Sequence, residues 1–198
     1  MRRTLVVLTL IVAVAGCGSS KKTAKESAGS TTASTPARPA ATTFAGGRTV
    51  RGSGYSLRLP AKWQDAKAAL KGSAIRFDNA YVNSVAQGIP KENIVVIRES
   101  PPGVKDNQLG IVDKTFRGQA ATLADSKGVE PSRAAKLDGA AAQTYAYVMR
   151  QGGGVGRQRQ EFAIHGGAVY TITWTAPRRG FARSERLFDQ ILASWRWA

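Results

Sequence analysis

One cysteine and one histidine stand in 198 residues. A lone thiol cannot close an internal disulfide, and one thiol with one imidazole cannot supply a zinc site rich in either ligand. Any Ser-His-Asp or Cys-His arrangement would have to run through His165, which precedes Gly166-Gly167 and so belongs at a hairpin turn. Acids are scarce as well, 13 Asp and Glu against 29 Lys and Arg, for a formal net charge of +16. No two acids fall at a ligand-like spacing, and Asp125, Glu130 and Asp138 are separated as solvated surface residues are. The expectation is therefore no metal, no cofactor and no enzymatic centre. Long apolar runs are missing too. The most apolar stretch, Leu5 to Ala15, is broken by Thr9 and falls well short of the roughly 20 residues that span a bilayer.

What the N-terminus does contain sets the compartment. Arg2 and Arg3 precede the apolar stretch, and the small residues Gly16 and Gly18 flank Cys17. A basic start, a short apolar segment and small residues at a cleavage point make a secretory signal. The segment Val14-Ala15-Gly16-Cys17 also resembles the lipobox of bacterial lipoproteins. That resemblance implies a diacylglyceryl group on the Cys17 thiol, with the leader cut just before it. An ordinary signal peptide with an incidental cysteine is the competing reading. Two acyl chains hold a protein on a membrane where one does so only marginally. On this reading residues 1–16 are the leader and residues 17–49 a lipidated tether. Outside the cytoplasm the cationic excess no longer points to nucleic acid. It points to anionic envelope polymers or to a protein partner.

The tether, "GSSKKTAKESAGSTTASTPARPAATTFAGG", is Ser, Thr, Ala, Pro and Gly with Phe44 as its one aromatic. It cannot bury enough apolar surface to offset the entropy of ordering it. A flexible chain of about 30 residues reaches about 30 Å on average.

From Val50 onward the composition changes, and all four Trp and all five Tyr lie beyond it. Residues 50–198 are enough for one core. Tyr55, Leu57 and Leu59 alternate with polar residues and stop at Pro60, as a half-buried strand does. Ala74–Phe77 is expected to form a short strand. "NIVVIRE" at Asn93–Glu99 is apolar on both faces and is placed centrally in a sheet. Leu109, Val112, Phe116, Ala120 and Leu123 recur at helical spacing, with Asp106 as the expected N-cap. Strand-like runs follow, turned at Asp138-Gly139, at Gly152 to Gly154 and at Gly166-Gly167. A second helix, about Phe181 to Ser194, places Leu187, Phe188, Ile191, Leu192 and Trp195 on one stripe. The fold class is α+β: an antiparallel sheet of about six to seven strands with helices packed on its faces. Trp63, Trp174 and Trp195 are expected in the core, and Trp197 partly exposed.

The opening "GYSLRLPAKW" (Gly54–Trp63), the hairpin segments "AAQTYAYV" and "VYTITWTA" and the closing "FDQILASWRW" (Phe188–Trp197) resemble the PsbP-like domains. The likeness is strongest to the small actinobacterial lipoproteins of the LpqN type. It implies the same antiparallel sheet and a role in binding or assembly. Relatives contact photosystem assemblies or a small GTPase, but no motif here carries either partner over.

Two features invite chemistry. "GGGVGRQ" (Gly152–Gln158) lacks the following helix and Lys-Ser/Thr of a phosphate loop, so it is a hairpin tip. Arg178, Arg179, Arg183 and Arg186 gather at the start of the last helix, where the helix dipole already disfavours cations. They form a candidate anion-binding cluster, which Arg150, Arg157 and Arg159 would join if that hairpin tip folds alongside. The function expected is a lipid-anchored binding or assembly module on the extracytoplasmic face of the cell membrane. A carrier of a small apolar molecule and an envelope hydrolase are the rivals.

Overall fold

The computed structural model describes residues 46–70, 76–88, 90–151 and 153–198. The leader, Cys17 and almost all of the tether lie outside the described residues.

The chain enters through a hairpin, Arg48–Gly52 (β1) and Tyr55–Leu59 (β2). In β2 every second residue is buried, and Pro60 follows its last residue. Two short strands, Trp63–Asp65 (β3) and Asn79–Asn83 (β4), lead to Asn93–Glu99 (β5). A 3-10 turn at Asp106–Gln108 opens directly into Leu109–Ala121 (α1). A short strand and three long ones then form a meander: Arg133–Leu137 (β6), Ala140–Gln151 (β7), Gly154–His165 (β8) and Ala168–Pro177 (β9). Phe181–Ala193 (α2) and the two-residue strand Arg196–Trp197 (β10) close the chain.

The large sheet has seven antiparallel strands in the order β3-β4-β5-β9-β8-β7-β6. A three-stranded sheet, β1-β2-β10, lies against it. The hairpins at Asp138-Gly139 and Gly166-Gly167 have positive φ at both central residues. That is the backbone that matches the twist of tightly joined strands. β5 lies between β4 and β9, as its apolar composition implies: Ile94 and Val96 are buried on one face, Val95 and Ile97 half-buried on the other.

Residues on the two faces of β9 separate the core into two layers. Tyr170, Ile172 and Trp174 pack with α2 and the small sheet, while Val169 packs with α1. In the first layer the Trp174 and Phe188 rings stack at 5.4 Å, and Tyr55 and Trp195 at 4.0 Å. Trp63, Trp174 and Trp195 are all buried, and Trp197 is half-buried. The Trp197 indole donates to the Leu137 carbonyl at 3.0 Å and stacks on His165, fastening β10 across two hairpin turns.

Two expectations fail. Arg76 and Phe77 are not in a strand, and residues 71–75 lie outside the described residues. The strand is Asn79–Asn83, where Ala80 and Tyr81 meet Val95 and Ile94 of β5. Cross-strand partners, invisible in a window of four residues, decide the position. Asp106 does not cap α1. It begins the 3-10 turn, and Gln108 takes the cap position, its side chain accepting from the Lys105 N–H at 3.0 Å. The small sheet carries no signal in the sequence, because β1 and β10 lack the alternation that marks β2.

Candidate binding cleft at the start of the last helix

β9 ends at Pro177, and Arg178-Arg179-Gly180 turns the chain into α2. Gly180 has φ 85°, a conformation that costs other residues most and glycine least. The Arg178 N–H donates to the Val155 carbonyl at 3.0 Å, tying this turn to β8. The Phe181 and Arg183 N–H groups donate to the carbonyls of Arg178 and Gly180. Those two backbone donors at the helix start are therefore already used.

The β8 arginines lie on the α2 side of the sheet. Arg159 is buried: its Nη1 donates to Asp189 at 2.7 Å and lies 3.4 Å from Glu185, and its Nη2 is 3.5 Å from Glu161. Its Nε donates to the Thr144 hydroxyl, and its guanidinium covers Phe188. Arg157, two residues earlier, bonds Glu130 through Nη2 and lies 4.7 Å from the centre of the Phe181 ring. Its Nε is out of water with no acceptor among the described residues. Both are thus held by carboxylates, which separates them from the exposed arginines. Arg150 is exposed near the β7–β8 tip.

Arg178, Arg179, Arg183 and Arg186 are exposed, and none enters an ion pair among the described residues. Arg178 alone of the four lines a cleft of about 390 Å³. Lys127, Gly128 and Glu130 from the loop after α1 form part of its lining, with Tyr147 and Val148 of β7 and Arg157 of β8. Phe181, Ala182 and Glu185 of α2 complete it. The loop is held to β7 by backbone bonds, Asp125 N–H to the Val148 carbonyl at 2.8 Å and Glu130 N–H to the Ala146 carbonyl at 2.9 Å. Burial pushes the Tyr147 phenol well above its ordinary pKa, so it stays a neutral donor, here to Gln158.

The remaining sequence candidates have structural partners. Asp125 accepts the Lys127 N–H, Glu130 holds Arg157, and Asp138 accepts the Trp197 N–H at 2.9 Å. His165 ends β8 with its ring 4.2 Å from that of Trp197. Among the described residues no group of three or more His, Cys, Asp or Glu could hold a metal ion. Sequence reasoning missed Lys127 and the pairing of Arg157 with the Phe181 ring. Only the β7–β8 register, Val148 opposite Arg157, brings that loop beside the helix start.

No protein-family model matches the chain, and no curated protein does. Among solved structures, the chain is similar to the cyanobacterial PsbP protein CyanoP from Synechocystis sp. PCC 6803, at 18% identity and a TM-score of 0.52. That match covers 73% of this chain and 87% of CyanoP. LpqN of Mycobacterium tuberculosis, involved in cell envelope biogenesis, matches at 16% identity and a TM-score of 0.52, covering 75% of this chain and 88% of LpqN. The Saccharomyces cerevisiae Ran-binding protein Mog1p matches at 10% identity and a TM-score of 0.50, covering 76% and 95%. These likenesses establish a PsbP-like α+β fold.

Proposed function

We propose that this chain is an exported, lipid-anchored binding or assembly module that works at the extracytoplasmic face of the cell membrane. One pairing carries the reading: a lipobox-like Val14-Ala15-Gly16-Cys17 precedes a domain whose fold is shared with an envelope-biogenesis protein and a Ran-binding protein. Acyl chains on Cys17 hold the molecule, the Ser/Thr/Pro-rich segment gives reach, and the folded domain presents a basic surface to a protein partner or an anionic envelope polymer. The carrier reading has less support. The space between the sheet and α2 holds the Trp174, Phe181 and Phe188 rings at 4.6 and 5.4 Å spacings.

The anchor is tested by mass spectrometry of native protein and by Cys17→Ser. The expected result is a diacylglyceryl thioether on an N-terminal Cys17, and in the variant a retained leader with no lipid. An unmodified thiol in a chain that still carries its leader overturns the compartment. The binding role is then tested by crosslinking in intact cells.

A further inference from the structure

We infer that the cleft at the start of α2 receives an acidic segment of a protein partner, a carboxylate flanked by an apolar side chain. This inference rests on the binding-module reading above. The charges in the cleft are asymmetric in how they are used. Its two acids are committed, Glu130 to Arg157 and Glu185 to the deeper Arg159. Of its three cations Arg157 is paired, while Lys127 and Arg178 are exposed and in no ion pair among the described residues. They stand on different elements, the loop after α1 and the turn before α2, and both border the same 390 Å³ space. An anion between them relieves the repulsion of two like charges and gains two charge-assisted bonds.

The lining also asks for apolar surface. Phe181 and Val148 contribute to it, and Arg157 is fixed against the Phe181 ring by both the cation–π contact and Glu130. A guanidinium already held in place loses little side-chain freedom on binding. Inorganic phosphate meets the charge requirement alone. A bilayer surface is flat and does not enter a concave site. A peptide chain meets both requirements, and the volume lies at the small end of the range for ligand clefts, which suits a short segment. The excess of cations over the whole chain speeds the approach of such a segment.

The full chain is titrated against a fluorescent peptide of alternating Glu and Leu, followed by anisotropy. The Gln–Leu counterpart, inorganic phosphate and phosphatidylglycerol vesicles are competitors. The Glu–Leu peptide is expected to bind, more weakly as salt rises, with each competitor at least about tenfold weaker. Lys127→Glu with Arg178→Glu is expected to weaken binding by more than about tenfold, while Arg183→Glu with Arg186→Glu changes it less than about threefold. Both pairs are surface residues, and unchanged thermal melting confirms that the variants fold. No peptide binding, equal displacement by phosphate or vesicles, or loss that follows Arg183 and Arg186 instead overturns the inference. Photocrosslinkers placed in cells at Ala182 and at Ile111 separate it from the broader reading. Protein adducts at Ala182 that Arg178→Glu abolishes uphold the cleft. Adducts at Ile111 alone overturn the cleft and leave the binding module. Adducts at neither position overturn both.

Discussion

α1 and α2 are each 13 residues long and cover opposite faces of one sheet. Their burial differs sharply. α2 buries Phe181, Phe188, Ile191 and Leu192. α1 buries Phe116 and Ala120, and carries Gly110, Gly118 and an Ile111 that is 66% exposed. The sheet explains the difference. Toward α2, β9 presents Tyr170, Ile172, Trp174 and Ala176; toward α1 its alternate residues include Thr171, Thr173 and Thr175. On that second face the polar groups bond each other, Gln158 to Thr175 at 3.0 Å and Tyr145 to Gln160. A face so satisfied offers a helix less apolar area to cover, and stability accumulates on the α2 side.

The largest expected effects test this ranking directly. Phe188→Ala and Phe116→Ala delete the same side chain from opposite layers. Such changes cost about 3–5 kcal/mol, and urea unfolding is expected to place Phe188→Ala near the top of that range and Phe116→Ala near the bottom. Phe188 stacks on Trp174 and lies beneath Arg159, whereas Phe116 has an edge contact with Phe162. The reverse order breaks the comparison.

Neighbouring residues on β8 sharpen it. Arg159 faces α2 and Gln160 faces α1, and both are buried. Arg159→Met removes the guanidinium that pairs with Glu161, Glu185 and Asp189, and is expected to cost about 3 kcal/mol. Gln160→Met removes one acceptor from Tyr145 and is expected to cost about 1 kcal/mol. Equal losses by chemical denaturation refute the idea that the charged contacts of this strand are concentrated on the α2 side.

Much of this contrast is legible from the chain alone. The stripe Leu187, Phe188, Ile191, Leu192 and the alternation Tyr170, Ile172, Trp174 mark the α2 layer, because a period of 3.6 or 2 survives in any local window. The hairpin turns are legible because Asp138-Gly139 and Gly166-Gly167 need positive φ. The small sheet is not, since Arg196 and Trp197 pair with Ser56 and Tyr55 across most of the chain. The cleft is read only in part. Arginines at the start of α2 stand out in the sequence, but Lys127 comes to border the same cleft as Arg178 through the loop bonds to β7. Nor does charge counting reveal that Arg157 and Arg159 are held by acids.

The smallest expected effect concerns how the small sheet is fastened. Asp78 precedes β4 and accepts from the turn of the β1–β2 hairpin, the Ser53 hydroxyl at 2.6 Å and the Ser53 N–H at 3.1 Å. Burial alone would raise this carboxyl, but the Ser53 bonds, with help from Tyr55 and Lys67, hold it below its ordinary value of 3.8. A depressed carboxyl contributes stability that is complete above the ordinary value and is lost as pH falls through the lower native one. Glu99 acts in the opposite sense. Burial raises its carboxyl above 4.5, so its ionisation opposes folding as pH climbs through that region. Asp78→Asn isolates the first effect. It is expected to cost about 1 kcal/mol at neutral pH, and the gap from the parent chain is expected to close as urea midpoints are followed down to about pH 2. A gap that stays constant with pH means that shape rather than charge fastens the hairpin. The small sheet would then resemble the α1 face, where neutral hydrogen bonds do the holding, more than the α2 face on which it lies.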